Sequence, residues 1–168
     1  MRKIQSLFTV LGLLLTLALA VSAQTNLRSL DGSTVNVEGQ RGKIVVLSVG
    51  ASWLPLSSKQ ADFTNALAKK YAGKDVVVYF IATDSLASGS KNFASNEALQ
   101  KFSFDNKLNV SVLRDPDGVA TLKRFKLDQV PSFVILDKNG VAIGEPFGGI
   151  DPKYDITIPI SRVIDKIL

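Results

Sequence analysis

The stretch that most limits what this chain can fold into is Lys43-Ile44-Val45-Val46-Leu47-Ser48-Val49-Gly50-Ala51-Ser52-Trp53-Leu54-Pro55-Leu56-Ser57-Ser58-Lys59. Ile44 to Val49 is a near-continuous apolar run, the pattern of a central strand covered on both faces. Gly50, Ala51 and Ser52 are small and let the backbone turn sharply. Pro55 falls where a helix begins, a position that tolerates a missing N–H. The stretch therefore predicts a buried strand running directly into a helix, a junction at which α/β folds place reactive groups. Here the usual reactive groups are missing.

Of the 168 residues none is cysteine and none histidine. Disulfides, thiolate nucleophiles, zinc–sulfur sites, Ser-His-Asp triads and imidazole ligands are all excluded. Carboxylates, lysines, hydroxyls and backbone amides are what remain for chemistry. A Ser-Lys nucleophile built from Ser57 or Ser58 with Lys59 is set aside, because nothing nearby in sequence would desolvate Lys59. A carboxylate metal site drawing on Asp84, Asp115 and Asp117 has no supporting spacing, and no cofactor is expected.

Residues 1–23 read as a secretory signal. Arg2 and Lys3 are followed by the apolar run Leu7 to Ala20, and Val21-Ser22-Ala23 offers a cleavage site before Gln24. The expectation is an exported protein, periplasmic or extracellular. It would meet a membrane only if this segment stays uncleaved as an anchor. Removing 23 residues from 168 leaves 145, a 24–168 domain long enough to bury a core, and lowers the net charge from +5 to +3. With no basic run and no interleaved aromatic patch, nucleic-acid binding is not expected.

Along the remaining chain, Asn26 to Leu30 and Val35 to Val37 read as two short strands joined by the turn Asp31-Gly32-Ser33. Leu56 to Tyr71 has helical spacing, with Phe63, Ala66, Leu67 and Tyr71 inward and Lys59, Asn65, Lys69 and Lys70 toward water. Val76 to Ala82 is a second buried strand, completing a βαβ unit with parallel strands and a right-handed crossover. Asp84 to Ser95 is a polar loop. Asn96 is placed as the cap of a helix from Glu97 to Asn106, with Leu99 and Phe102 inward. Val110 to Leu113 is a strand, Asp115-Pro116-Asp117-Gly118 a turn, Val119 to Phe125 a short helix and Phe133 to Leu136 a strand. Asp137-Lys138-Asn139-Gly140 predicts a hairpin in which Val141 to Ile143 pairs back antiparallel. Gly144 to Tyr154 is a loop in which Gly148-Gly149 makes a bulge or turn, and Ile156 to Leu168 is a final helix with Ile160, Val163, Ile164 and Ile167 toward the sheet.

This order resembles the thioredoxin superfamily, in particular its exported TlpA/ResA-like branch, which overlaps with the AhpC/TSA grouping. Four features carry the resemblance over nearly all of residues 27–168. They are Asp31-Gly32 ahead of Gly42-Lys43, Ala51-Ser52-Trp53, Asp115-Pro116-Asp117-Gly118, and Val130-Pro131-Ser132 running on to Asn139-Gly140. The implied architecture is α/β, a thioredoxin-like fold with a central mixed sheet flanked by helices and an N-terminal extension of two short strands. The family places Trp-Cys-x-x-Cys at the junction. Trp53 is kept, but Leu54 and Ser57 stand at the two cysteine positions, with Pro55 and Leu56 between. Thiol–disulfide exchange needs a thiolate to attack and a second thiol to resolve, and neither is present, so no catalytic residue is assigned. The resemblance also implies that Pro131 is cis, beside the junction, and that the backbone of Val130 can pair with an extended peptide. The expected binding face is Trp53, Leu54, Pro55, Leu56, Ser57, Val130 and Pro131, and the expected partner an extended peptide or an envelope protein. The alternatives are a thiol-disulfide oxidoreductase or antioxidant enzyme, as the family would suggest, or a structural subunit of an envelope complex.

Overall fold

A computed structural model of the chain describes residues 24–168; the signal-like segment lies outside the described residues. The elements are β1 (Asn26–Ser29), β2 (Thr34–Asn36), β3 (Ile44–Gly50), α1 (Ser57–Lys70), β4 (Val76–Ala82), α2 (Asn96–Asp105), β5 (Ser111–Arg114), a 3-10 turn (Pro116–Gly118), α3 (Thr121–Arg124), β6 (Ser132–Leu136), β7 (Phe147–Gly148) and α4 (Thr157–Ile167). The strands form one mixed sheet in the order β2-β1-β5-β4-β3-β6-β7. Every residue of β3 is buried, as its unbroken apolar run requires. It pairs parallel with β4 over its full length and antiparallel with β6 from Val45↔Leu136 to Val49↔Ser132.

The crossovers β3-α1-β4 and β4-α2-β5 advance across the sheet in one direction. Right-handed connections then put both helices on the same face. There α1 and α4 cover Ile44, Val46, Val78, Phe133 and Ile135 through Phe63, Leu67, Tyr71, Ile160 and Ile164. Leu99 of α2 closes over Phe80, Ala82 and Val112. The opposite face carries Val45, Leu47, Val49, Ile81, Leu113, Val134 and Leu136, sealed by Phe125 and Leu127 just after α3. Tyr71 pins the two covering helices together, its hydroxyl donating to Asp165 Oδ1 at 2.7 Å.

Several local details depart from the sequence expectations. Helix α1 begins at Ser57, and Leu54 to Leu56 form the turn ahead of it. Ala66 faces solvent; its expected place on the inner face goes to Gln60 and Thr64, both fully buried. They make a polar seam against the sheet. Gln60 Nε2 donates to Ser48 Oγ at 2.9 Å, and the Ser48 and Thr64 hydroxyls are 2.8 Å apart. Asn65, expected to face water, donates to the Asn106 and Lys107 carbonyls and accepts from Asn109 N. Ser95, not Asn96, caps α2: it is extended, and its hydroxyl accepts from Ala98 N at 3.2 Å.

The Asp137–Gly140 turn forms, with Asp137 Oδ1 accepting from Asn139 N and Val141 N. The returning segment makes only the bridge Leu136↔Ala142. The strand that pairs with β6 is instead Phe147–Gly148, within the stretch read as a loop, at Ser132↔Gly148 and Phe133↔Phe147. Phe147 can pack on the apolar cluster beneath α1 and α4, whereas Val141 stays exposed; burial selected the later pairing.

The polar seam carries a stability test. Ser48→Ala removes the acceptor of a fully buried Gln60 amide and the neighbour of the Thr64 hydroxyl. It is expected to destabilise the fold by about 1–3 kcal/mol in urea unfolding with little change in the denaturant slope.

Candidate functional site

The junction and the expected proline strand meet at one end of the sheet. Val49 of β3 faces Ser132 of β6, so the next positions outward are Gly50 on one strand and Pro131 on the other. The Val130–Pro131 peptide is cis. From Gly50 the chain passes through Ala51, buried, to Ser52, Trp53 and Leu54. Leu54 N donates to Ala51 O at 3.3 Å and Ser57 N to Leu54 O at 3.0 Å, two tight turns in succession that lead into α1. Trp53 is 50% exposed, Pro55 is exposed, and Leu54 and Leu56 are half-buried. Leu56 packs on the cluster beneath α1 and α4, and Val130 on the cluster of the opposite face. The predicted face is thus drawn from both sides of the sheet end.

The hydroxyl at the second family cysteine position is fully engaged. Ser57 is buried and its Oγ donates to Ser52 O at 3.0 Å. Lys59 extends over the Phe63 ring, 4.7 Å from its centroid. A Ser-Lys pair therefore has neither partner placed for it. Of the strand-end backbone, Pro131 O accepts from Gly149 N at 3.0 Å. Among the described residues the N–H and C=O of the half-buried Val130 have no hydrogen-bond partner.

Behind this face lies a group of buried polar residues that sequence reasoning considered only as metal ligands, or, for Arg114, missed. Asp84, fully buried two positions past β4, accepts from Ser52 N at 3.1 Å and from Ser52 Oγ at 2.5 Å. Thr83 N and Oγ1 both donate to Gly50 O, and Asp115 N donates to Ala82 O. The ends of β3, β4 and β5 are laced together in this way. Asp115 does not wait for a metal: its carboxylate accepts from Ala120 N, Thr121 N and Thr121 Oγ1 and so holds α3. Asp117 accepts from Ser85 Oγ at 3.3 Å. Among the described residues no three acidic side chains converge on one point. Arg114, at the end of β5, is 7% exposed and donates to Ala94 O at 2.9 Å and to Asp84 O at 3.4 Å. Burial pulls its pKa down and the Asp84 charge opposes that pull; an arginine stays protonated through such a shift. A charged residue directly after the apolar pair Val112-Leu113 in β5 was the available signal.

Taken together, the mixed sheet, the helix springing from its central strand and the cis-proline at the strand end define a thioredoxin-fold domain with no thiol at its motif. A family model for the AhpC/TSA family matches residues 19–144, and the chain belongs to that family. No curated protein matches it. Among solved structures it is similar to a thioredoxin-like protein from Aeropyrum pernix, 18% identical, covering 99% of this chain and 98% of that one with a TM-score of 0.68. It is also similar to a pneumococcal exposed lipoprotein thioredoxin from Streptococcus pneumoniae, 26% identical, covering 83% and 99%, TM-score 0.64. A third is a secreted disulfide oxidoreductase of Mycobacterium tuberculosis, 24% identical, covering 84% and 96%, TM-score 0.61.

The turn from Leu54 to Ser57 closes with an i to i+3 hydrogen bond. Such turns hold their outer Cα atoms within about 7 Å, which overlaps the span of a disulfide. The double variant Leu54→Cys, Ser57→Cys, in a chain with no other thiol, is expected to lose the mass of two hydrogens and both free thiols on mild oxidation. Two thiols still titratable after oxidation would show that the turn no longer has the family's geometry.

Proposed function

We propose that this is an exported thioredoxin-fold protein that performs no dithiol chemistry and binds an extended peptide segment of a partner protein non-covalently. The binding face would be Trp53, Leu54, Pro55, Leu56, Ser57, Val130 and Pro131. The observation that carries the reading is the unpartnered backbone of Val130 at the sheet end, beside the half-exposed Trp53. An extended peptide laid there would satisfy both Val130 groups, as strand addition does elsewhere, and apolar side chains would supply the contact area. Leu54 in place of a nucleophile adds apolar surface and takes away the only atom through which the family forms a covalent intermediate. Export is supported by the signal-like leader and by the exposed and secreted proteins among its structural relatives.

Trp53 is the sole tryptophan, so its emission reports on this face alone. Titration with extended apolar peptides is expected to shift that emission to the blue. Leu54→Asp places a carboxylate in the contact and should weaken binding about tenfold or more with the melting temperature little changed, since Leu54 is only half-buried. Insulin reduction and peroxide consumption by the purified protein should stay at background. Turnover of either substrate, or peptide affinity indifferent to Leu54→Asp, would defeat the reading.

A further inference from the structure

Away from the peptide face, the geometry points to a small-oxyanion site between β1, β5 and the start of α2, formed by Arg28, Arg114 and Asn96. Arg28 and Arg114 stand directly opposite each other in the antiparallel β1–β5 pair, so both side chains leave the same face of the sheet. Like charges placed across a strand pair repel, and natural pairs avoid the arrangement unless something of opposite sign joins them. The protein answers this only in part, through the Asp84 charge acting on Arg114 without direct contact. Neither arginine forms an ion pair among the described residues. The Asp84 carboxylate is held by Ser52 N and Oγ, and Arg114 reaches only the Asp84 carbonyl.

Arg114 is more than nine-tenths buried, yet uses two of its five N–H groups, both on backbone carbonyls. Its Nε has no partner. A buried donor left unpaired is uncommon and leaves Arg114 short of acceptors. There is space beside this side chain. Arg114 lines a cavity of about 210 Å³ together with Arg28, Ser29, Leu86, Asn96 and Pro116, and no acidic side chain is among the lining residues. Asn96 is the first residue of the ten-residue α2, and its backbone N–H has no partner among the described residues. The start of α2, whose first turn also carries Glu97, thus meets two arginines at one small opening. Guanidinium matches the oxygens of phosphate, sulfate and carboxylate alike, and the volume admits a free ion or the end group of a larger molecule. The site is separate from the peptide face, and each can fail without the other.

The test uses the whole protein with inorganic phosphate, sulfate and acetate, each compared with sodium chloride at matched ionic strength. A bound oxyanion raises the melting temperature beyond the chloride control and moves the Arg114 Nε–H resonance in a nitrogen-15 spectrum. An acetate response equal to that of phosphate identifies a carboxylate occupant; a response confined to phosphate and sulfate identifies a tetrahedral one. Arg28 is exposed, so Arg28→Gln should fold, and it is expected to bind about tenfold more weakly. Arg114→Lys, which keeps the charge and removes Nε, should weaken binding similarly. Peptide-induced Trp53 emission should be unchanged in Arg28→Gln. No response beyond chloride, or a response in both variants as strong as that of the unaltered protein, overturns the assignment.

Discussion

The structure depends on β3 being buried along both faces and both edges. A strand so placed has every backbone group paired laterally and every side chain in the core, so its register cannot slip without turning apolar residues into solvent. That fixed register decides where the next residues go. Because Val49 is opposite Ser132, the junction after β3 and the proline before β6 have no choice but to be neighbours, although some eighty residues separate them in sequence. The site is thus a by-product of sheet pairing. Changing Leu54 or Ser57 changes its chemistry and leaves its position intact.

The interior just behind that position is polar. Asp84 grips Ser52, Thr83 grips Gly50, and Asp115 holds the start of α3. These contacts hold Ser52, from which the loop carrying Trp53 and Leu54 continues. They keep the loop ordered without a thiol at the junction. The network supplies the acceptors and donors that a buried strand end needs in any case.

The sequence showed the fold wherever an apolar run left one option. β3, β4 and β6 were legible because continuous runs of Val, Ile and Phe bounded by turn residues can only be interior strands. It was less legible where burial and pattern part company. Gln60 and Thr64 look like surface residues, yet they lie inside because Ser48 offers them partners across the helix–sheet gap. Ala66, apolar by type, is outside because the inner face was already filled. β7 was missed because two residues, Phe147 and Gly148, carry no periodicity, and an Asp-Lys-Asn-Gly turn nearby advertised a different partner. Of the candidate face, the residues and a Val130 backbone open to pairing came from the resemblance; the buried Arg114 behind it did not. Its burial depends on which groups find partners, and that is decided only after the whole chain is arranged.

The pairing of β6 with β3 has a consequence for the order in which the molecule can assemble. The first half of the chain contains β3, α1 and β4, a local unit able to form early. Its central strand still lacks one neighbour until residues 132–136 arrive, and one helical cover until Ile160 and Ile164 do. Until then a long, apolar edge is open to any passing strand, the condition under which nascent chains associate with one another. A growing polypeptide of this design therefore stays unfinished until its last helix is made, and a carrier that keeps chains extended would find it cooperative for the whole of that interval.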